Sequence, residues 1–516
     1  MIDEISLINN EVTRKQRYII KRIIVRGTLI LETPTCLGSG DADSPTDLPL
    51  LRDSISDHAL LTGSSIAGAL RNYLREREHG YMGNEHTDDL ATILFGGTRR
   101  DDDGNQSPLI INDAISTKSI KAELRDGVKI NSATGTAEDK AKYDLELLQA
   151  GTEFPLSFEL LIEREANEAD LRKALAIALS GLEAKKDPND SECENDLKSG
   201  EISLGMKKRR GFGRCHVEEW QVWQFDLTKD DQRLKWLNFE HWHTGLLPNY
   251  PIYPSIKEAF EKAEIKLDIN GEDKRDRFLL HAKFKLVGSL LIRSGQDSTG
   301  RAPDVVHLKS HRPDKPDSQS VLSGTSLAGV LRHRAERIVK TLGSCSPIVD
   351  QMFGFVVGKQ SQASRLIVSE TEIKEVTELV QNRIAIDRFT GGAYHGALFD
   401  EQPIFGGDKT CVCIELELRN PKEYEIGLLL LLLKDLWTQD LPVGGESSIG
   451  RGRLQGKKAT LTWYKWDKEK KLQQKDTWTI KQCCENKPLV VSDPDSLEKF
   501  VKKLVNYPTE EVKCNE

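Results

Sequence analysis

The chain switches between two hydrophobic periods. Apolar and polar residues alternate at IIVRGTLIL (23–31), EFPLSFELLI (153–162), HAKFKLVGSLLI (281–292) and KTCVCIELEL (409–418). A period of two predicts strands with one buried face. Between these runs, SSIAGALRNYL and TSLAGVLRHRAERI open on hydroxyl residues suited to cap a helix. They set Ile66, Leu70 and Tyr73 on one helical face, and Leu327, Leu331, Ala335 and Ile338 on another. Two further helices are expected at ADLRKALAIALSGL (169–182) and EIGLLLLLLKDLW (425–437), each followed by a Gly/Arg loop and a last strand. Each half therefore reads strand–helix–strand–strand–helix–strand. That order predicts an α+β chain of two tandem ferredoxin-like, RRM-like domains, each with an inserted β-hairpin.

The two halves repeat one another. LTGSSIAGALR (61–71) returns as LSGTSLAGVLR (322–332), 261 residues later, and Gly27 lies the same distance before Gly288. Phe95-Gly96 returns as Phe353-Gly354, INSATG (130–135) as IDRFTG (386–391), and GFGR (211–214) as GRGR (450–453). Five landmarks in one order indicate a tandem duplication. The spacing shrinks toward the end because the first copy carries a polar stretch, KKDPNDSECENDLKSG (185–200), which reads as a surface insertion. The expected organisation is a first domain over 1–225, a connector over 226–275, a second domain over 276–466 and a tail over 467–516.

A length of 516 residues fits two or three domains. With 73 Lys plus Arg against 81 Asp plus Glu, the net charge is −8, which excludes nucleic-acid binding through bulk positive charge. Any such binding must use local patches. The leucine run Leu428–Leu433 ends at Lys434 and Asp435, far short of the roughly 18 residues that cross a bilayer. The start, MIDEISLINNE, lacks the basic and apolar regions of an export signal, so a cytoplasmic protein without a membrane partner is expected. Nine cysteines contain no CxxC pair, which argues against a structural zinc site and for reduced thiols.

Several segments carry candidate chemistry. Lys207, Lys208, Arg209, Arg210 and Arg214 surround Gly211 and Gly213, while Arg451 and Arg453 alternate with Gly450 and Gly452. Glycine lets backbone amides approach a phosphate, and arginine binds it with two donors. The helix starts at Gly63-Ser64-Ser65 and Gly324-Thr325-Ser326 offer free N–H groups to an anion. The basic run Arg14, Lys15, Arg17, Lys21, Arg22 and Arg26 either tracks a phosphate backbone or forms a solvated strand face. The hairpins turn at Thr134-Gly135 and Thr390-Gly391 in segments too polar for a core.

These landmarks resemble the RAMP superfamily of CRISPR proteins. More narrowly, GSSIAGALR, GTSLAGVLR, the hairpins at 125–154 and 382–405, and the loops MKKRRGFGR and GGESSIGRGR resemble the Cas-seven-type backbone subunits of type III effector complexes. Two fused copies resemble the double backbone subunit of a type III-D system. The resemblance implies that each copy grips CRISPR RNA, through the two Gly loops and through Gly63, Ser64, Ser65, Arg71, Gly324, Thr325, Ser326 and Arg332. It implies that a hairpin thumb flips a base out of the guide–target duplex. It also implies that an aspartate on the loop after the first strand supports target-RNA scission with a divalent metal ion, Mg2+ or Mn2+, inside a complex with other subunits.

For the first copy, Asp47 followed by LPLLRD fits the family pattern, whereas adding 261 to Asp43 gives Asp304, so the two arguments disagree. Asp47 is favoured over Asp43. In the second copy Asp304 is the candidate, with Asp297 behind it and His307 as a neighbouring acid or base. Two rivals stand beside the cutting backbone. One is a silent RNA-binding scaffold. The other is an endoribonuclease that trims precursor RNA, for which His216 after GFGRC is the available base.

Overall fold

A computed structural model describes residues 17–40, 48–81, 83–97, 105–131, 134–185, 198–266, 272–293, 303–343, 347–482 and 487–507. The first half runs β1 (Ile19–Leu31), α1 (Gly63–His79), β2 (Leu109–Ile111), the hairpin β3 (Ala122–Ile130) and β4 (Ala137–Leu148), β5 (Glu153–Glu163), α2 (Glu168–Ser180) and β6 (Cys215–Asp226). Its antiparallel sheet has the order β2-β5-β1-β6. After α3 (Asp230–Leu237) and α4 (Ile256–Lys262), the second half runs β7 (Arg277–Val287), α5 (Gly324–Thr341), β8 (Leu366–Val368), β9 (Thr371–Glu378), the hairpin β10 (Gln381–Ile386) and β11 (Ala393–Gln402), β12 (Ile404–Arg419), α6 (Glu423–Trp437) and β13 (Arg453–Asp467). Here β8 and β9 both pair with β12, then come β7 and β13. Two ferredoxin-like sheets in tandem result.

The alternation in sequence becomes alternation in burial. Every second residue of β5 and β7 is buried. On α1 the buried positions include Ile66, Leu70 and Tyr73, and on α5 they include Leu327, Leu331 and Ala335. Thr62 and Ser323 cap these helices, accepting from Ser65 N–H and Ser326 N–H.

Both sheets are covered on both faces. In the first half, Ile24 and Phe225 point away from the helices and pack on Phe239 and Leu247. Helix α4 adds Ile256 and Phe260 to the main core of that half. Helices α3 and α4 of the stretch read from sequence as a connector thus pack as part of the first half. The outer face of the second sheet meets α1 instead: Arg419 pairs with Glu76 at 3.3 Å, and Tyr81 donates to Glu417 at 3.1 Å. Among the described residues neither sheet keeps one face wholly free, as an RRM does to stack bases.

The described strand and helix after 467 also pack onto the second half. Strand β14 (Leu472–Lys481) extends the sheet beside β13, and α7 (Pro494–Val505) packs Leu497, Phe500 and Leu504 into the second core. Trp463 and Trp478 both meet Phe500 edge to face. Among the described residues no helix is long and apolar enough to cross a membrane.

Candidate nucleic-acid interface

The two Gly loops share one backbone. Lys207, Gly211 and Gly213 have φ of 53°, 85° and 75°; Glu446, Gly450 and Gly452 have 59°, 89° and 77°. A Cβ on Gly213 or Gly452 would lie 1.8 Å from the carbonyl oxygen of Leu204 or Val443, so no other residue fits.

The arginines of these loops turn inward. Arg209 donates to the Ser364 carbonyl, Arg210 to the carbonyls of Leu366 (3.3 Å) and Phe353 (3.4 Å), and Arg214 pairs with Glu415 at 2.9 Å. All four partners belong to the second half. Gly211 is pressed against Glu370, where a Cβ would meet the backbone nitrogen at 2.2 Å. The first loop, expected as an open phosphate cradle, is thus a joint between the halves. In the second loop Arg451 is 3% exposed and held by Glu401 (3.0 Å), Glu446 (3.2 Å) and Gln381 (3.0 Å). Arg453 donates to the Gln439 carbonyl at 2.7 Å.

The helix starts are similarly occupied. Gly63 N–H donates to Asp113 at 2.6 Å, and the Ser64 and Ser65 hydroxyls bond to Thr62. Gly324 is wedged under the carbonyls of Arg210 and Val368, and Thr325 and Ser326 bond to Ser323. Arg71 and Arg332 are latches: each donates at 2.7 Å to the carbonyl of a repeated glycine region, Gly97 and Gly354. Of the N-terminal run, Arg14 and Lys15 lie outside the described residues. Arg17, Lys21 and Arg22 pair with Glu163, Glu168 and Glu159, and Arg26 is buried and donates to the carbonyls of Glu240 and Gly245. The phosphate-tracking alternative does not hold for these four.

The hairpins project. Gly135 and Gly391 close their turns at φ of 69° and 67°, with Thr134 and Thr390 exposed beside them. The second hairpin exposes Ile384, Ile386, Tyr394 and Leu398, and Phe389 at its tip is 99% exposed. Their roots differ. On the first, Arg125 bridges Glu123 (3.3 Å) and Glu370 (2.9 Å), and Arg312 completes the buried network at 2.8 Å from Glu370. Burial opposes ionisation of Glu370, but the charges of Arg125 and Arg312 outweigh it and lower its pKa. On the second root, Arg383 and Arg451 hold Glu401 and Glu446. Burial and the neighbouring Glu446 push the Glu401 carboxyl up. Burial acts likewise on Glu446, but its hydrogen bond with Glu401 and the arginine charges bring it down.

Strand register settles which residues of the halves correspond. Gly27 faces Trp220 and Leu29 faces Val217; Ala282 faces Ala459 and Phe284 faces Gly456. The last strands correspond by 239 residues, as their Gly loops do, so Gly27 corresponds to Ala282. The expected match of Gly27 with Gly288 is corrected. Next along the chain, Leu48 bridges Leu145 in parallel as Val305 bridges Glu401, and Leu50 bridges Gly38 as His307 bridges Arg293. Leu145 and Glu401 correspond by 256, as their hairpin turns do. Leu48 and Leu50 therefore match Val305 and His307, 257 residues on. By the same spacing Asp304 corresponds to position 47 and not to position 43.

Asp304 is exposed at the second root, where its Oδ2 accepts the Asp400 N–H at 3.1 Å. Asp43, Asp47 and Asp297 lie outside the described residues. His307 is no surface acid or base. It is 2% exposed, its Nδ1 accepts from Ile292 N–H (3.1 Å), and its Nε2 lies 3.1 Å from the Val321 carbonyl. Burial lowers its pKa to about 4. His216 is also buried, 3.0 Å from Glu32 and 3.2 Å from Glu218. Among the described residues no group of three His, Cys, Asp or Glu side chains converges to hold a metal.

A family model for the RAMP superfamily matches residues 28–216 and 283–455. The chain belongs to the RAMP superfamily. The two matched stretches coincide with the two sheet-and-helix halves, so this is a tandem RAMP protein, and membership places it among the CRISPR-associated proteins. No curated protein matches the chain. Sequence reasoning missed the buried charges that set the roots of the RAMP hairpins. The signal was present, since Arg383, Glu401, Glu446 and Arg451 stand where the first half has Gly127, Leu145, Lys207 and Phe212.

Proposed function

We propose that the chain is a backbone subunit of a type III CRISPR effector complex that holds CRISPR RNA and cuts complementary target RNA at two places. Asp47 and Asp304 are the cutting positions. The observation that carries this reading is the register: one aspartate position, directly before a short parallel bridge to the hairpin root, is filled in both halves. The hairpins supply the wedge. An exposed Phe389 can stack on a base displaced from a duplex, and opening one step costs roughly a few kcal/mol.

Magnesium-like ions are commonly held by one or two carboxylates plus substrate phosphates, with water filling the rest. A single exposed aspartate such as Asp304 fits that mode, with Mg2+ or Mn2+ completed by the RNA. Such an ion would stabilise negative charge on the scissile phosphate. The chain's own part is to aim the carboxylate, which the Asp400 N–H does by binding one oxygen and leaving the other for the ligand.

A silent scaffold is the second reading. It is favoured by the internal engagement of Arg71, Arg209, Arg210, Arg214, Arg332, Arg451 and Arg453, which leaves RNA binding to other groups. Trimming of precursor RNA fits less well, because His216 is locked between two glutamates. The test is labelled complementary RNA added to the complex with its CRISPR RNA and partner subunits. Cutting that stops with EDTA, returns with Mg2+ or Mn2+, and is lost in Asp47→Ala/Asp304→Ala with guide binding intact supports the cutting backbone. Undiminished cutting in the double variant would move the chain to the scaffold class.

A further inference from the structure

Strand β12 carries two thiols in contact. The Sγ atoms of Cys411 and Cys413 lie 3.7 Å apart. Residues two apart on a strand share a face, so the pair belongs to the row that continues to Glu415 and Glu417. Those carboxylates hold Arg214 and Tyr81 of the first half at 2.9 and 3.1 Å. The thiols therefore lie at the margin of the joint between the halves.

The two cysteines are held unequally. Cys413 is 4% exposed and fixed from both sides: it faces Lys283 of β7 in register, and the Thr371 hydroxyl of β9 donates to its carbonyl at 2.7 Å. Cys411 is half-buried and stands where the ladders end. Pairing of this stretch with β7 starts only at Val412. On the β9 side Cys411 faces Lys374, but Val376 next faces Gly406, so four residues of β12 bulge opposite Glu375 alone. Gly407, Asp408 and Lys409 in that bulge are exposed. Cys411 can therefore shift without breaking the ladder that holds Cys413.

That shift is what a bridge requires. Residues two apart on an extended strand are about 6.6 Å apart at Cα, the long end of the roughly 4.4–6.8 Å that disulfides span. A pucker at Cys411 brings the sulfurs to bonding distance, and the strain it stores keeps the bond reducible. The other described cysteines, Cys36 and Cys215, are fully buried and shielded from reagents.

We propose that Cys411 and Cys413 form a reversible disulfide, with Cys411 as the attacking thiol and Cys413 as the resolving one. The oxidant is a small-molecule disulfide such as oxidised glutathione. The Cys411 thiolate attacks one of its sulfurs and expels one thiolate; the Cys413 thiolate then attacks the Cys411 sulfur and expels the second. The protein gives up two electrons and two protons, and the reagent leaves as two thiols. In a reducing compartment the thiols are the resting state, and the bridge forms only on oxidation. The inference stands apart from the proposed cutting activity.

The test equilibrates the full-length chain with glutathione at rising ratios of oxidised to reduced form, quenches with N-ethylmaleimide and digests with trypsin. Cleavage after Lys409 and Arg419 releases TCVCIELELR (410–419), which holds these two cysteines and no other. Mass spectrometry should show this peptide passing from two maleimide labels to none, two hydrogens lighter, with both labels regained after dithiothreitol. In Cys413→Ala the peptide should instead carry one glutathione on Cys411, the first step caught without the second. In Cys411→Ala, Cys413 should keep its maleimide label. The wild-type result does not depend on either variant folding. Two labels retained at every ratio, this peptide cross-linked to another cysteine, or glutathione trapped on Cys413 in place of Cys411 would overturn the inference.

Discussion

The roots of the two hairpins have one backbone and opposite chemistry. In the first half, Leu145 and Phe212 pack with Cys36 and Leu147 in an apolar cluster beneath the hairpin. At the corresponding positions the second half places Glu401 and Arg451, 0% and 3% exposed, in an ion-pair quartet with the half-buried Glu446 and Arg383. The glycines at positive φ and the parallel bridges are the same in both. Backbone geometry therefore specifies the hairpin's position, while the filling at these corresponding positions changes from an apolar cluster in the first half to ion pairs in the second. The first root adds a second anchor, since Arg125 reaches Glu370 in the other half.

The strongest way to break this comparison is at the shared anchor. Glu370→Ala leaves Arg312, 4% exposed, without its carboxylate and Arg125, 5% exposed, with Glu123 alone. A loss of about 3–5 kcal/mol in unfolding free energy is expected by urea denaturation, the usual cost of orphaning a buried charge. Arg451→Ala should cost about 3 kcal/mol for the same reason at the second root. The sharpening test is the swap Glu401→Leu/Arg451→Phe, which imports the first half's pair and leaves Arg383 to Glu446. It should be clearly more stable than Arg451→Ala, with strong non-additivity in the double-mutant cycle. A swap as damaging as the sum of its parts would show that the quartet is needed as such.

His307 provides a pH-dependent version. Its counterpart is Leu50, and its pKa is depressed to about 4 from an ordinary 6.5. The folded state holds it neutral, while the unfolded chain takes up a proton below pH 6.5. Stability is therefore full above about 6.5, falls as pH drops toward 4, and levels off below, by about 3 kcal/mol in total. His307→Leu should flatten that slope in thermal melts between pH 4 and 7. The smallest stability effect belongs to Phe389→Ala, at most about 0.5 kcal/mol, since the ring touches little. Its weight should appear in target binding, where a lost stacking contact is worth about 1–3 kcal/mol.

Much of the fold was legible because burial follows alternation directly, as in β5 and β7, and because Gly213 and Gly452 sit at positive φ where a Cβ would strike a carbonyl oxygen. The candidate site was less legible. Arginines beside glycines read equally well as phosphate ligands or as donors to the protein's own carbonyls, and only the docking of the halves decides. Residue identity matches Gly27 with Gly288, although its counterpart, Ala282, is fixed by strand register. Charges that pair across 18 to 245 residues, such as Arg383 with Glu401 or Arg125 with Glu370, leave no local pattern to read.

Under the proposed function each half contributes one cutting aspartate, at positions 47 and 304. Single-nucleotide mapping of target cuts in Asp43→Ala, Asp47→Ala and Asp304→Ala complexes tests it most directly. Asp47→Ala should erase one cut, Asp304→Ala a second at a fixed spacing, and Asp43→Ala neither. Loss of the first cut in Asp43→Ala with Asp47→Ala unaffected would contradict the correspondence on which the account rests.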